Sequence, residues 1–356
     1  MTVVVAPDHV HHNVATGVWC GVTEASDELP ARAEIIATAC AAAGAPMVQA
    51  TDHGLDALLR VHDLQFLRVL RTAHQRWVAD GHLEQAAIPY VTPYFFPPVA
   101  GPRGGVRGRG AATIRAEIGF YAMDTMTCIG EGTWTGAKAA ADAAATAADL
   151  IADGAGVAYA VCRPPGHHAG PAFFGGSCYL NNAAVAAAQL RAAGLERVAI
   201  VDVDAHHGNG TEDILRDRPN LLFVSVHQYP GYPGTGTTSF ANCQNFPVAP
   251  HTPREAHMAD LARSWDKVLG FKPDLVPVSA GFDAYARDPI TEMTLEREDF
   301  ATLGRWLGES GLPAAAVLEG GYDLGNLPRL VAAHLAGLSG LGVRPCDEIK
   351  PIDSGL

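Results

Sequence analysis

Short apolar runs that alternate with helical patterns are the feature that most constrains the fold of this chain. The runs are apolar at consecutive positions, so each strand must be covered on both faces, which is typical of a parallel sheet between layers of helices. We predict strands at residues 3–6, 157–162, 198–203, 221–226, 275–279 and 314–318. We predict helices at residues 31–43, 133–153, 181–193, 253–269, 296–310 and 327–338. The sequence therefore predicts an α/β fold.

Composition and charge exclude several classes of protein. Of the 356 residues, 48% are hydrophobic and 18% are charged, and no linker or repeat divides them, so we predict a single globular domain over residues 1–356. The net charge of −13 argues against nucleic acid as a partner. The longest apolar stretch, residues 137–151, is too short and too polar to span a membrane. The seven cysteines form no CxxC pair and no secretory signal is seen, so we expect a cytoplasmic protein.

One segment departs from the alternation of strands and helices. Residues 88–115 contain PYVTPYFFPPVAGPRGGVRGRG, a run rich in proline, glycine, arginine and aromatic residues. Such a run cannot form a regular element, and loops of this length are usually functional or part of an interface. We therefore expect an inserted loop at about residues 88–115.

Four polar motifs directly follow four of the predicted strands. They are RPPGHHA at 163–169, DVDAHHGNG at 202–210, SAGFDA at 279–284 and EGGYD at 319–323. In open α/β sheets, ligands bind beyond the carboxyl ends of the strands. We therefore expect the four motifs to form one site.

The second and third motifs contain candidate metal ligands. Asp202, Asp204 and His206 alternate with apolar residues, which places their side chains on one face of an extended chain. Burying two carboxylates and an imidazole is costly without a cation, unless a structural hydrogen-bond network satisfies them. Asp283, at the end of another strand, is the candidate third ligand beside Asp204 and His206. This ligand set suits one Zn²⁺, and Fe²⁺, Co²⁺ or Mn²⁺ could also bind it.

The remaining motifs contain candidate catalytic groups. One imidazole of the His167–His168 pair could deprotonate water and protonate a leaving amine. Two adjacent histidines without the other motifs would more often be structural. Each ring needs a partner that fixes its tautomer, and Asp202 and Asn209 are the candidates. Tyr322 could donate its hydroxyl to an oxyanion, although taken alone it would more often be a core tyrosine.

In this order, the four motifs resemble the zinc-dependent histone deacetylase superfamily, and the resemblance extends from about residue 32 to residue 338. It implies the three-layer arginase/deacetylase fold, an α/β fold with an eight-stranded parallel sheet. The positions that match the superfamily's zinc ligands are Asp204, His206 and Asp283. The positions that match its catalytic residues are His167, His168, Tyr322, Asp202 and Asn209.

Within the superfamily, the chain most resembles the bacterial acetylpolyamine amidohydrolases, on segments such as HGLDALLRVHD, EIGFYAMDTMTCIGEGTW and FFGGSCYLNNAAVAAAQL. The resemblance implies hydrolysis of a linear amide, with deacetylation of a small N-acetylated amine such as an acetylpolyamine as the expected reaction. It also implies a structural K⁺ site near Asp202, Asp204 and Ser225. Finally, it implies a homodimer or tetramer in which the loop at 88–115 contacts a second subunit and narrows the active-site mouth.

The positions where the chain departs from its relatives concern the substrate. The resemblance implies substrate contacts at Gly176, Ser177, Tyr232, Ile290 and Gly320. Ser177 replaces an aromatic tunnel wall, and Ile290 and Met126 stand where relatives carry acids that hold a distal ammonium. Three acids nearby in sequence are candidate replacements: Glu117, Asp124 and Glu292. Three arginines in the loop would repel a polyamine unless they are engaged at an interface: Arg103, Arg107 and Arg109. Other small or non-natural acyl amides, and acetyl-lysine, therefore remain open as substrates.

Two other classes of function have weaker support in the sequence. A two-metal ureohydrolase on the same fold needs further carboxylates, but Tyr285 stands two positions after Asp283. A non-enzymatic sensor of acylated amines is disfavoured by the retained Tyr322 and histidine pair. The chain also contains no GxSxG nucleophile motif and no phosphate-binding loop in a strand–loop–helix context.

Overall fold

An eight-stranded parallel sheet forms the centre of the computed structural model, which describes residues 1–83, 88–96 and 113–340. Ten strands occur in these ranges: β1 (Thr2–Val5), β2 (Thr16–Trp19), β3 (Val22–Ala25), β4 (Met47–Gln49), β5 (Val157–Val161), β6 (Val198–Asp202), β7 (Leu221–Gln228), β8 (Cys243–Val248), β9 (Val276–Ala280) and β10 (Ala314–Leu318). The order across the main sheet is β4-β1-β5-β10-β9-β6-β7-β8, and β2 and β3 form a separate antiparallel hairpin.

Helices cover both faces of the sheet. The described ranges contain α1 (Ala31–Ala42), α2 (Asp56–Leu59), α3 (Leu64–Ala79), α4 (Ile114–Tyr121), α5 (Thr133–Ala152), α6 (Asn182–Ala192), α7 (Asn209–Leu215), α8 (Arg254–Phe271), α9 (Arg297–Ser310) and α10 (Leu327–Leu338). None of these helices is both long and apolar enough to cross a membrane. The expected fold class, an α/β protein with an eight-stranded parallel sheet, is confirmed.

The alternation of side chains along each strand divides the core into two halves. In β1, Val4 packs in one apolar cluster with Phe66 of α3 and alanines of α5. The neighbouring Val3 packs in a second cluster with Ile36 of α1 and Phe300 of α9. Because successive side chains of a strand point to opposite faces, both faces are buried only if every position is apolar. This is the physical origin of the continuous apolar runs.

All six predicted strands and all six predicted helices are present, with bounds that differ by two residues at most. The elements that the sequence analysis missed are β4, β8, the β2–β3 hairpin, α2, α3, α4 and α7. The edge strands are short or polar, so they lack the apolar signal of the central strands. Helix α3 did carry a signal, because Asp63 caps it by accepting hydrogen bonds from the backbone N–H groups of Gln65 and Phe66.

The inserted loop is only partly within the described residues. Residues 88–96 contain no helix or strand element, and Val91 forms an isolated bridge with Ile129. Residues 97–112, with the three arginines predicted to face the mouth, lie outside the described residues. The loop was predicted to end at about residue 115, and in the structure Thr113 caps α4, which begins at Ile114. The Thr113 hydroxyl accepts from the N–H of Ala116, which explains why the helix begins there.

A buried histidine bonds to two points of the connection between β5 and α6, on the carboxyl side of β5. The ring of His62 lies between the carbonyl of Gly170, 2.9 Å from Nδ1, and the N–H of Asn181, 3.0 Å from Nε2. The carbonyl can only accept and the N–H can only donate, so the ring is neutral with its proton on Nδ1. Burial lowers the pKa of His62 to about 4.

We predict that His62 makes the fold sensitive to mild acid. The unfolded chain binds the imidazole proton below about pH 6.5, whereas the folded protein resists it down to about pH 4. As the pH is lowered from about 6.5 to about 4, His62 alone should therefore reduce the free energy of unfolding by about 1.4 kcal/mol per pH unit. Urea unfolding between pH 7 and 5 measures the slope.

A His62→Gln variant should show a shallower slope, although it is less stable at pH 7. The exposed His11→Gln variant is the control and should keep the slope of the parent protein. Equal slopes for the His62→Gln variant and the parent would contradict this explanation.

Candidate active site

The four polar motifs lie at one edge of the sheet. The strands β5, β10, β9 and β6 are neighbours and parallel, so their carboxyl ends meet there. The turn after β5 packs closely, because a Cβ on Gly166 would lie 2.4 Å from the backbone nitrogen of Asn182. The expectation that the motifs form one site is confirmed in the described part of the chain.

Asp204, His206 and Asp283 meet at this edge. One ligand atom from each lies within 4.8 Å of the other two. His206 Nδ1 is 3.0 Å from Asp204 Oδ1 and 2.9 Å from Asp283 Oδ2, and both carboxylates are fully buried. Burial, together with the neighbouring Asp204 charge, raises the pKa of Asp283. Two buried carboxylates and an imidazole around one point are the donor set of a divalent metal, so the residues fit the expected ion.

Backbone donors hold the two carboxylates in position. The N–H of Gly320 donates to Asp204 Oδ2 at 2.7 Å, and the N–H of Ala205 donates to Asp283 Oδ1 at 2.8 Å. Gly320 comes close to both side chains, since a Cβ there would lie 2.2 Å from Asp283 Oδ2 and 2.6 Å from Asp204 Oδ2. Such outer contacts orient the ligands of a metal site and raise its affinity.

Each histidine of the pair has its own partner. His167 Nδ1 is 3.0 Å from Asp202 Oδ2, and His168 Nδ1 is 2.8 Å from Asn209 Oδ1. Both partners present an accepting oxygen, so each ring carries a proton on Nδ1. The Nε2 atom of His168 is therefore the atom that can accept a proton when the ring is neutral.

The two imidazoles differ in charge preference although their centroids are 4.0 Å apart. Burial alone would lower the pKa of His167, but the carboxylates of Asp204 and Asp202 raise it to about 10. Burial and the neighbouring His167 and His206 hold the pKa of His168 well below its usual range. A cation bound to Asp204 would weaken the effect of that carboxylate on the pKa of His167. The surroundings therefore favour the charged imidazolium form for His167 more than for His168.

Tyr322 borders the same cavity from a segment that is firmly held. Its N–H donates to Asp288 Oδ2 at 2.8 Å, and the Arg32 guanidinium carbon lies 4.7 Å from its ring centroid. The fully buried Arg32 also donates to the carbonyls of Gly321 at 2.7 Å and Glu319 at 2.5 Å. Burial raises the pKa of Tyr322, so its hydroxyl stays protonated and can act as a donor.

A cavity of about 480 Å³ leads to these groups. All five predicted substrate-contacting positions line it: Gly176, Ser177, Tyr232, Ile290 and Gly320. Met126 lines it as well. Four acids line the cavity: Glu24, Asp27, Glu28 and Glu292. Among the described residues, no lysine or arginine lines it.

Three acids were candidates to replace those that hold a distal ammonium in relatives, and of these only Glu292 lines the cavity. Glu117 forms an ion pair with Arg76 elsewhere on the surface. Asp124 lies behind the cavity wall, where Tyr232 donates to it. Proximity in sequence to Met126 was therefore a poor guide to where a carboxylate points.

Sequence reasoning missed the β2–β3 hairpin, which supplies Gly17, Trp19, Glu24 and Ala25 to the cavity. A signal was available in the sequence. The hairpin turns at Cys20–Gly21, where φ is 49° and 82°, as a two-residue turn of this type requires. Trp19 and Val22 flank that turn as β-formers, so the WCGV segment predicts a hairpin.

The expected K⁺ site remains a prediction. Ser225 is buried and lies beside Asp202 in the register of β6 and β7. Its hydroxyl is 2.9 Å from Nδ1 of His227.

The fold and this site define a deacetylase-like hydrolase centre, and comparison with known proteins agrees. Residues 26–338 match the histone deacetylase domain, so the chain belongs to that family. This membership confirms the expected enzyme class, a hydrolase of amide bonds.

Individual relatives cover almost the whole chain. The chain is 37% identical over 356 residues to an acetylpolyamine amidohydrolase of Mycoplana ramosa, covering 96% of this chain and 100% of the relative. It is 35% identical to acetylpolyamine amidohydrolase 1 of Pseudomonas aeruginosa, covering 90% and 94%. A crystal structure of acetylpolyamine aminohydrolase from Burkholderia pseudomallei superposes with a TM-score of 0.88 at 32% identity, covering 96% of this chain and 99% of that one.

We predict that Gly320→Ala weakens divalent metal binding by about 10- to 100-fold, the range typical for losing an outer contact of a metal site. The added methyl group would collide with the carboxylates of Asp204 and Asp283. Calorimetric titration of metal-free protein with Zn²⁺ measures the affinity. Gly325→Ala is the matched control, because its Cβ would meet only Asp323 Oδ1 at 3.4 Å. Unchanged affinity in Gly320→Ala would show that the metal binds elsewhere.

Proposed function

We propose that this protein is a zinc-dependent deacetylase of a small N-acetylated amine, such as an acetylpolyamine. The observation that carries the proposal is the position of the Asp204–His206–Asp283 group beside the His167–His168 pair, at the inner end of an acidic cavity. The names of the relatives in Mycoplana and Pseudomonas support the same substrate class.

We propose one Zn²⁺ per chain, held by Asp204, His206 and Asp283, with Fe²⁺ or Co²⁺ as possible substitutes. When bound, such an ion polarises an acyl carbonyl and makes water more acidic. A structural K⁺ near Asp202, Asp204 and Ser225 is part of the same proposal. The buried position of Ser225 next to Asp202 supports it.

In this proposal, the histidine pair and Tyr322 have separate roles in proton transfer and hydrogen bonding. Neutral His168 accepts a proton from the attacking water at Nε2, while Asn209 fixes the proton on Nδ1. His167 donates its Nδ1 proton to Asp202, which fixes the orientation of the ring beside His168. The hydroxyl of Tyr322 donates to the oxyanion that develops on the former carbonyl oxygen. Proton return from the histidine pair to the leaving amine completes the hydrolysis.

The acids of the cavity support a substrate whose amine part is cationic. Glu24, Asp27 and Glu292 are exposed at the mouth, and none has an ion pair with a described lysine or arginine. Opposite charge in a cleft raises the local concentration of a cationic ligand. Ser177 and Ile290 favour a second candidate, another small or non-natural acyl amide, because serine leaves more room than an aromatic wall. Acetyl-lysine in a peptide is a further candidate.

We also propose a homodimer or tetramer in the cytoplasm, with the loop at about 88–115 at the interface. Exposed aromatic residues at the described start of that loop, Tyr94 and Phe96, support an interface. Sedimentation at several protein concentrations tests the assembly, and a monomer at all concentrations would exclude it.

We predict that Tyr322→Phe lowers kcat by about 10²- to 10³-fold, the usual result of removing one oxyanion donor. The ring and its contact with Arg32 remain in this variant, so zinc content and thermal stability should not change. Steady-state hydrolysis of acetylputrescine by the zinc-loaded enzyme measures the loss. Full activity in Tyr322→Phe would exclude the hydroxyl from catalysis.

We predict that the Glu24→Gln/Glu292→Gln double variant raises KM for acetylputrescine by about two- to fivefold per charge removed, as expected for exposed ion pairs. N-butylacetamide, which has similar length and no charge, is the control substrate and should be unaffected. Equal effects on both substrates would exclude charge recognition by these acids. Poor kcat/KM on acetylputrescine and on an acetyl-lysine peptide in the parent enzyme would favour the other small amides.

A further inference from the structure

Asp124 occupies a half-buried position between α4 and α5, behind the wall of the cavity. Its Oδ1 accepts the backbone N–H groups of Met126 at 3.1 Å and Thr127 at 2.8 Å. These two bonds close a turn around the carboxylate. The side chain does not line the cavity itself, although Met126 does.

The second oxygen of Asp124 reaches two separate segments of the cavity wall. Oδ2 accepts the N–H of Gly176 at 2.7 Å and the hydroxyl of Tyr232 at 2.7 Å. The hydroxyl of Thr127 donates to the same oxygen at 3.1 Å and lies 2.9 Å from the N–H of Ser177, which donates to it. Asp124 forms no ion pair with a cation in the described ranges, so these donors alone compensate its charge.

Both wall segments contact the ring of His168. The Tyr232 ring lies perpendicular to it, with centroids 5.1 Å apart. On the other side, a Cβ on Gly176 would lie 2.2 Å from His168 Cδ2, so the backbone there is in direct contact with the ring. The residue before Asp124 adds a third support, because Met123 Sδ accepts from Asn209 Nδ2 at 3.5 Å.

We propose that Asp124 is a positioning residue for the deacetylase reaction: it holds Tyr232 and Gly176 against His168 and thereby sets the orientation of the base and the width of the cavity. This inference deepens the proposed function and rests on it. The carboxylate acts through its neighbours and does not touch the substrate.

A carboxylate suits this task better than an amide. One ionised oxygen can accept several hydrogen bonds, and bonds to a charged acceptor are about twice as strong as neutral ones. In Asp124→Asn, the oxygen can keep the turn, but the amide group would face the N–H of Gly176 with another donor. That variant therefore breaks the contact to the wall with little change in size.

The test compares Asp124→Asn, Asp124→Ala, Tyr232→Phe and the Asp124→Ala/Tyr232→Phe double variant. We expect Asp124→Asn to lower kcat by about 10- to 100-fold, with a smaller change in KM, because small displacements of a catalytic group have effects of that size. The losses of Asp124→Ala and Tyr232→Phe should be less than multiplicative in the double variant, since they share one contact.

Asp63→Asn is the matched control. Asp63 also accepts two backbone N–H groups, those of Gln65 and Phe66, but at the start of α3 and away from the cavity. We expect kcat and KM within about twofold of the parent for this variant, because exposed sites away from the reaction have small effects. Thermal unfolding and zinc content, measured for every variant, show whether a loss of activity is a loss of folded or loaded protein.

Hydroxamate binding separates failure of this inference from failure of the proposed function. The Kd values of a slim alkyl hydroxamate and of one with a bulky aryl group are measured by calorimetry. Asp124→Asn should change the ratio of the two Kd values by at least fivefold (about 1 kcal/mol), whether or not the parent enzyme turns over an amide. An unchanged ratio together with unchanged kcat, or fully multiplicative losses in the double variant, would overturn the role of Asp124.

Discussion

Asp204 and Asp283 are fully buried next to each other at the end of the sheet, and neither has a lysine or arginine partner among the described residues. Burying two like charges is tolerated only where a cation and fixed donors compensate them. The close approach of Gly320, the position of His206 and the parallel arrangement of β6 and β9 all serve that requirement.

A second buried ionic group supports the site from behind. Glu28 pairs with Arg32 at 3.1 Å and with Arg163 at 3.0 Å, and all three side chains are almost completely buried. Arg163 precedes the histidine pair, and Arg32 holds the carbonyls on either side of Gly320. One carboxylate therefore links the loop that carries His167 with the loop that carries Tyr322. Removing Glu28 would leave two buried guanidinium groups without their shared carboxylate, which is strongly destabilising.

The sequence predicted the central part of the molecule well because the physical requirements there are strict. A strand buried on both faces is apolar throughout, and few residue types can bind a metal ion, so both requirements leave a clear pattern in the sequence. The edge strand β4 and the hairpin have one exposed face and accept many residues. Asp124 shows a further limit. Its type and position in the chain suggested a substrate contact, whereas its five hydrogen-bond donors come from its own turn and from Gly176 and Tyr232, and only folding brings these together.

The β2–β3 hairpin has a consequence for how such proteins diverge. It forms one side of the cavity, yet its strands, Thr16–Trp19 and Val22–Ala25, precede the residues 26–338 that match the histone deacetylase domain. The groups that would perform the hydrolysis lie inside the matched region. Mutations can therefore accumulate in the hairpin, and alter which amines enter, without exposing the buried carboxylates to change. One part of the cavity wall can therefore vary separately from the catalytic groups, whereas the wall residues Ser177, Tyr232 and Ile290 share the matched region with them.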